Sequence, residues 1–212
     1  DILGQSHLLG EGAAFRRLIE SADFDSVILI GPPGTGKTTI AELIGEYHSL
    51  PFFRLHASTS GASDIKNIID TTKHYGKEAI VFIDEVHRFN KTQQDLLLKV
   101  IDGQHAKLIG ASTENPYHSL TMPLRPRSFI FNLERLENDS LKNLVGRSFP
   151  YFKEKYKVES VEYDEEDMLA CMEFSLGDGR RFLNMLELSA VNGNFDGDRL
   201  TLDLGNVQEY IA

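Results

Sequence analysis

The stretch Gly31-Pro-Pro-Gly-Thr-Gly-Lys-Thr38 lies between an apolar run that ends at Ile30 and a segment with helical spacing that begins at Lys37. It fits the P-loop pattern G-x-x-x-x-G-K-S/T, in which glycines let backbone N–H groups surround phosphates at a helix N-terminus. Chance produces such a match in about 1% of chains of this length. The motif, placed between a strand and a helix, therefore predicts a nucleotide-binding α/β fold rather than a glycine-rich turn with an unrelated lysine.

The motif also predicts which atoms meet the nucleotide. Lys37 is expected to reach the β and γ phosphates, and the Thr38 hydroxyl is expected to bind Mg²⁺, which prefers oxygen ligands. The residues expected to hold ATP through this loop are Gly31, Pro32, Pro33, Gly34, Thr35, Gly36, Lys37, Thr38 and Thr39.

Short β-branched or aromatic runs alternate with helical patterns on both sides of this loop. Five strands are predicted, at residues 26–30, 52–56, 79–84, 107–112 and 129–133, with helices across 37–47, 65–74 and 92–101. Strands separated by crossovers predict a parallel five-stranded sheet flanked by helices. The runs 27–30 and 80–83 are apolar at every position and predict central strands covered on both faces.

After residue 134 the strand pattern ends. Apolar residues at helical spacing follow the capping candidates Asn138 and Asp139, and two more helices are predicted at about 164–174 and 178–191. We therefore expect a P-loop ATPase domain over residues 1–134 and a small helical lid domain over 135–212.

A second strand end supplies two carboxylates. Asp84 follows four apolar residues, which places it at the carboxyl end of a buried strand, where parallel sheets bind ligands. Asp84 is expected to hold Mg²⁺, and Glu85 is expected to polarise the attacking water as a general base. These acids could instead cap the next helix, but their occurrence beside a P-loop favours ATP hydrolysis.

Polar residues also end the next predicted strand. Thr113 is the first choice for a side chain that reports the state of the γ-phosphate, and Asn115 is the second. The alternative is that both merely form a turn before Pro116.

Two pairs of arginines could reach phosphate. Arg125 and Arg127 precede the last predicted strand, while Arg180 and Arg181 begin a helix of the second domain. The planar guanidinium fork stays charged and suits a γ-phosphate whose charge spreads over three oxygens. For any single arginine, a solvated ion pair is the alternative.

The composition, 41% apolar and 25% charged residues in 212, is that of a soluble globular protein, and no apolar run is long enough to span a membrane. One cysteine, Cys171, cannot form an internal disulfide, so we expect an intracellular protein. A net charge of −10 repels nucleic acid, so any DNA contact must be local. Arg88 and Lys91, at the start of a predicted helix, are the candidates.

Four segments resemble the RarA/MgsA, Mgs1 and WRNIP1 family of replication-associated AAA+ ATPases: Gly4-Gln-Ser-His-Leu-Leu-Gly10, Asp84-Glu-Val-His-Arg-Phe-Asn-Lys-Thr-Gln-Gln94, Ala111-Ser-Thr-Glu-Asn-Pro116 and Gly177-Asp-Gly-Arg-Arg-Phe-Leu-Asn184. The resemblance covers nearly the whole chain. Family members are longer, so it implies that this chain is their AAA+ core without the C-terminal oligomerisation domain.

The resemblance also implies roles for individual residues. Gly4 and Gln5 would lie beside the adenine, Thr113 would be sensor 1, Arg127 the arginine finger and Arg180 sensor 2. The family usually has Ser-Arg-Cys around its finger, whereas this chain has Pro-Arg-Ser at 126–128, and Arg125 remains a competing candidate.

The implied function is an ATPase of DNA replication, recombination and repair that acts at stalled forks and is stimulated by DNA. Its implied partners are further copies of itself, single-stranded or fork-like DNA and replication proteins such as single-strand-binding protein. The implied location is the cytoplasm or nucleoid of a bacterium, or a eukaryotic nucleus. A clamp-loader subunit, a RuvB-like motor and a nucleotide-dependent scaffold with little turnover remain alternatives, whereas a superfamily 2 helicase would need a second RecA-like domain.

Overall fold

The computed structural model describes residues 2–75, 78–104 and 106–205, and a five-stranded parallel sheet forms its centre. Its strands are β1 (Ser26–Ile30), β2 (Phe52–His56), β3 (Ala79–Asp84), β4 (Ala106–Ser112) and β5 (Phe129–Asn132). The strand order is β2-β3-β4-β1-β5. The predicted α/β fold with a parallel P-loop sheet is confirmed, and the predicted bounds of β1, β2 and β3 agree with the structure.

Helices cover both faces of this sheet. Those of the first 134 residues are α1 (Ser6–Leu9), α2 (Ala14–Ser21), α3 (Lys37–Tyr47), α4 (Ala62–Tyr75), α5 (Lys91–Asp102) and α6 (Pro116–Ser119), with single 3₁₀ turns at Val86–Arg88 and Arg125–Arg127. Among the described residues, no helix combines the length and the apolar character needed to cross a bilayer.

The apolar run in β1 is explained by burial on both sides. Val27 and Leu29 face the core beneath α1, α2 and α3, whereas Ile28 faces the core beneath α4 and α5, and all three are fully buried. Successive side chains of a strand point to opposite faces, so a strand covered on both sides must be apolar throughout. The prediction that β1 and β3 are interior strands is confirmed by the strand order.

A separate hydrophobic core follows the sheet. It is formed by α7 (Asn138–Tyr156), α8 (Glu165–Ser175), α9 (Gly179–Val191) and a small sheet of β6 (Ser160–Glu162), β7 (Asn194–Asp196) and β8 (Arg199–Thr201). Leu133 still belongs to the core of the large sheet, while Leu136 belongs to this second core. The predicted boundary at residue 134 lies between them, and the division into two domains remains a prediction.

The structure adds two details to the expected helices of this second part. It also contains three strands of three residues each, which were not predicted because strands this short show no alternating pattern. β7 and β8 are joined by Gly197 and Asp198, a two-residue hairpin signal that the polar composition concealed. The start of α7 is capped by Glu137 without a side-chain hydrogen bond, so neither Asn138 nor Asp139 is the cap.

Gly177, between α8 and α9, contacts Leu136, and a substitution there tests how closely the two backbone segments approach. Its φ is +73°, its carbonyl accepts the Leu136 N–H at 2.9 Å, and an added β-carbon would lie 2.7 Å from the Leu136 carbonyl oxygen. Gly177→Ala should therefore combine left-handed strain, about 1–2 kcal/mol, with overpacking of about 1–3 kcal/mol. The measurement is the free energy of unfolding in urea.

The matched control is Gly197→Ala. Its φ of +61° is similar, but no atom lies within 4 Å of its added β-carbon. Only the strain contribution should remain, so equal destabilisation by the two substitutions would contradict the close approach at Gly177.

Candidate nucleotide site

A cavity of about 480 Å³ opens at the carboxyl ends of the sheet strands. Most of the predicted nucleotide residues line it, namely residues 33–39, Asp84, Glu85, Thr113 and Arg180. Five predicted residues do not line it: Gly4, Gln5, Gly31, Pro32 and Arg127.

The P-loop wraps around the lysine. Gly34 and Gly36 have left-handed φ values of 69° and 95°, which glycine adopts without strain. Lys37 Nζ donates hydrogen bonds to the carbonyl oxygens of Gly31 at 2.7 Å and Pro32 at 2.6 Å. Gly31 and Pro32, which do not line the cavity, thus bind the ammonium group through their carbonyl oxygens.

The electrostatic environment of this ammonium is mixed. Burial lowers the pKa of Lys37, and the positive charge of Arg180 lowers it further, whereas Asp84, Asp178 and Glu85 act in the opposite direction. An anion entering the cavity would meet a partly desolvated cation that donates to the carbonyl oxygens of Gly31 and Pro32.

Gln5 has a structural partner in the backbone of Glu134. Its Nε2 donates to the Glu134 carbonyl at 2.8 Å, and its Oε1 accepts the Glu134 N–H at 3.0 Å. The side chain is buried and also approaches the Thr35 carbonyl at 3.4 Å. Ile2 and Leu3, which precede this turn and were not predicted, line the cavity instead.

The two acids after β3 differ in geometry. Asp84 ends the strand, and its Oδ2 accepts a 3.5 Å hydrogen bond from Arg54 Nη2, a contact that sequence reasoning missed. Glu85 adopts left-handed backbone angles, φ 55° and ψ 44°, which are rare outside glycine, and its carboxylate pairs with Arg88. Strained backbone of this kind often occurs at functional sites.

The donors at this edge fit Mg²⁺. Thr38 and Asp84 both line the cavity and present oxygen atoms, the ligand type that this ion prefers. The described residues contain no group of three or more His, Cys, Asp or Glu side chains that could enclose a metal by itself. Mg²⁺ commonly takes its remaining ligands from phosphate and water, so this sparse donor set suits it.

The strand end at β4 distinguishes the two sensor candidates. Thr113 lines the cavity. Asn115 does not, because its carboxamide oxygen accepts the Tyr117 N–H at 2.9 Å and caps α6. Ser112, which was not predicted, is buried and also lines the cavity.

The beginning of α9 reaches the P-loop. Gly179 N donates to the Gly34 carbonyl oxygen at 3.1 Å, and Asp178 caps the helix by accepting the N–H groups of Arg180 and Arg181 at 2.9 and 3.0 Å. Arg180 is exposed towards the cavity, whereas the guanidinium of Arg181 lies 4.5 Å from the centre of the Phe174 ring.

Neither candidate finger arginine reaches the cavity of its own chain. Arg127 Nε lies 3.5 Å from Asp102 Oδ1, and its Nη1 donates to the Pro123 carbonyl oxygen at 3.1 Å. Arg125 contacts the Met122 sulfur and donates to the Tyr117 carbonyl oxygen at 3.1 Å.

Comparisons with known proteins show the family of this chain. The sequence model of the ATPase family associated with various cellular activities (AAA) matches residues 27–134. The chain is 38% identical over 191 residues to replication-associated recombination protein A of Escherichia coli (strain K12), covering 89% of the chain and 43% of that protein. It is 37% identical over 195 residues to ATPase WRNIP1 of Dictyostelium discoideum, covering 89% and 22%.

The solved structure of the RuvB Holliday junction branch migration motor from Thermotoga maritima is similar in fold. It gives a TM-score of 0.72 at 24% identity and covers 98% of this chain and 68% of that one. The chain spans less than half the length of the curated relatives named above. The chain belongs to the AAA family of ATPases, and its resemblance to the replication-associated recombination protein A and WRNIP1 group is confirmed.

Proposed function

We propose that this chain binds ATP with Mg²⁺ in the 480 Å³ cavity and hydrolyses it to ADP and phosphate. The observation that supports this most strongly is that one cavity is lined by P-loop residues 33–39, by Asp84 and Glu85, and by Arg180. Membership of a family of ATPases supports the same reaction.

Each side chain has a separate role in the proposed reaction. Lys37 exchanges the carbonyl oxygens of Gly31 and Pro32 for oxygens of the β and γ phosphates, and Thr38 and Asp84 hold the metal ion. Bound Mg²⁺ would neutralise charge on the phosphates. Glu85 orients the attacking water and accepts its proton.

The second core acts as a lid in this proposal. Residues 135–205 would fold over the nucleotide, while the last seven positions of the predicted lid domain lie outside the described residues. Arg180 would contact the γ-phosphate from the same chain as sensor 2. Gly4 and Gln5 would act on the adenine end indirectly, by placing Ile2 and Leu3 against it. Thr113 would respond to the γ-phosphate as sensor 1.

The wider role rests on the relatives. Because one is named a replication-associated recombination protein, we propose that the whole protein acts with DNA in replication, recombination and repair at stalled forks. Its partners would be further copies of itself, DNA and replication proteins such as single-strand-binding protein. It would work in the bacterial cytoplasm or nucleoid, or in a eukaryotic nucleus.

The first test separates binding from hydrolysis. Lys37→Ala should weaken ATP binding, because the cation that meets the phosphates is lost. Glu85→Gln should retain binding and lower turnover by about 10²-fold or more, since a general base contributes that much. Phosphate release and equilibrium ATP binding measure the two effects. Turnover of the unaltered protein no higher than that of Glu85→Gln would favour a nucleotide-dependent scaffold.

Arg127 should act in trans, because it does not line the cavity of its own chain and its guanidinium lies beside Asp102. An arginine finger is worth on the order of 10³ to 10⁵ in rate, so Arg127→Ala should lower turnover far more than ATP binding. Mixing Arg127→Ala subunits with Glu85→Gln subunits should restore activity, because some interfaces then pair an intact finger with an intact base.

The mixture needs two checks. Mixed assembly must be confirmed, for example by native mass spectrometry, and Arg125→Ala should be mixed in parallel. Activity that is rescued with Arg125→Ala but not with Arg127→Ala would move the finger to Arg125.

DNA contact is proposed at Lys91 and Arg88, at the exposed start of α5 and in the turn before it. Lys91→Ala should weaken binding to fork DNA and reduce the slope of log affinity against log salt by about 1, as expected for one lost phosphate contact. Lys91 is the cleaner test, because Arg88 also pairs with Glu85. Lys66→Ala, an equally exposed lysine on α4, should leave the slope unchanged.

A further inference from the structure

Ser112 is a junction between three segments of the nucleotide site. Its carbonyl oxygen accepts the N–H of Gly31, the first P-loop residue, at 3.1 Å. Its hydroxyl donates to the Glu114 carbonyl oxygen and accepts the Glu114 N–H, both at 3.0 Å. The hydroxyl also lies 3.0 Å from Nδ1 of His87, and the residue is 1% exposed.

The hydroxyl bonds close a tight turn around Thr113. Because both groups of Glu114 bond to the Ser112 hydroxyl, Thr113 between them is directed out of the buried strand end and lines the cavity. Anything that rotates the Ser112 hydroxyl therefore moves the turn that carries Thr113.

His87 contacts this turn and lies close in sequence to Glu85, the proposed general base. It follows Glu85 by two residues, and its side chain is only 6% exposed, although it does not line the cavity. While Nδ1 faces the Ser112 hydroxyl, Nε2 lies 3.8 Å from the Glu114 carboxylate. The imidazole thus faces both ends of the Thr113 turn.

The backbone that carries His87 is itself fixed. Val86 is fully buried, and its Cγ1 lies 3.1 Å from where a β-carbon on Gly110 of β4 would be. With Val86 packed against β4 on one side, the left-handed residue Glu85 and the His87 ring have little freedom to move independently.

We infer that His87 is a positioning residue that fixes Thr113 relative to Glu85 through the Ser112 hydroxyl. The inference rests on the proposed ATP hydrolysis. His87 does not line the cavity. In this inference its ring sets the distance between Glu85, which orients water, and Thr113, which responds to the γ-phosphate. A displacement of about 1 Å in such a site can cost about 10²-fold in rate.

The test compares three replacements in the assembled protein. His87→Leu fills the space without a hydrogen bond and should lower kcat by about 10- to 100-fold, while ATP affinity, set by the P-loop, stays unchanged. His87→Asn places a carboxamide near the position of Nδ1 and should restore most of kcat. In His87→Gln the carboxamide reaches towards the position of Nε2, so this replacement should not restore kcat. Rescue by Gln rather than Asn would overturn the route through Ser112.

A double-mutant cycle isolates that route. Ser112→Ala should lower kcat at least as much as His87→Leu, and the double variant should be no worse than Ser112→Ala alone. His48→Asn is the control, since it alters a partly buried histidine outside the cavity lining, whose Nε2 lies 2.6 Å from the Ile19 carbonyl oxygen, and should leave kcat unchanged. Additive losses in the double variant would show that His87 acts independently of Ser112.

The outcomes remain distinct from failure of the proposed function. An unaltered protein that turns over no faster than Glu85→Gln contradicts ATP hydrolysis itself. An active protein whose kcat is unaffected by His87→Leu contradicts only the positioning role. If His87→Leu fails to fold, as judged by circular dichroism, Ser112→Ala and His87→Asn decide the question, and normal ATP affinity with normal kcat in Ser112→Ala would overturn the inference.

Discussion

Parallel pairing of β4 with both β1 and β3 is the constraint on which the nucleotide site depends. The register sets Ile30 opposite Ser112 and Ile83 opposite Gly110, so three strands end within a few residues of one another. Parallel strands all point their carboxyl ends to one edge, and there the P-loop, the acids after β3 and the turn after β4 must meet. Burial on both faces protects this pairing from water, since the interior residues of these strands have almost no exposed surface.

The second core contacts this edge at Gly34, whose carbonyl oxygen accepts the Gly179 N–H at 3.1 Å. A β-carbon on Gly34 would lie 1.8 Å from Asp178 Oδ1, so only glycine permits this approach. Asp178 in turn caps α9, and the helix therefore begins where the P-loop turns. The N-terminus of a helix carries partial positive charge, which adds to that of Arg180 in a cavity suited to phosphate.

Local patterns in the sequence were sufficient for the sheet and for most of the predicted residues that line the cavity. The P-loop, the bounds of β1 and β3 and the acids Asp84 and Glu85 follow from short stretches whose composition is dictated by burial or by phosphate geometry. The contacts that were missed join residues far apart in the chain or use geometry that no pattern records. Arg54 reaches Asp84 from the neighbouring strand, and the ring of His87 lies 3.0 Å from the hydroxyl of Ser112 at the end of β4.

The pairing of Gln5 with Glu134 spans 129 positions of the sequence. The carboxamide reproduces the donor and acceptor of a peptide group, so it forms with the Glu134 backbone the kind of two-way bond that joins neighbouring strands. A rotation of the backbone at Glu134 must therefore either move Gln5 as well or break both hydrogen bonds. Ile2 and Leu3, which line the cavity, are thus coupled through Gln5 to the backbone at Glu134, shortly before the second core begins.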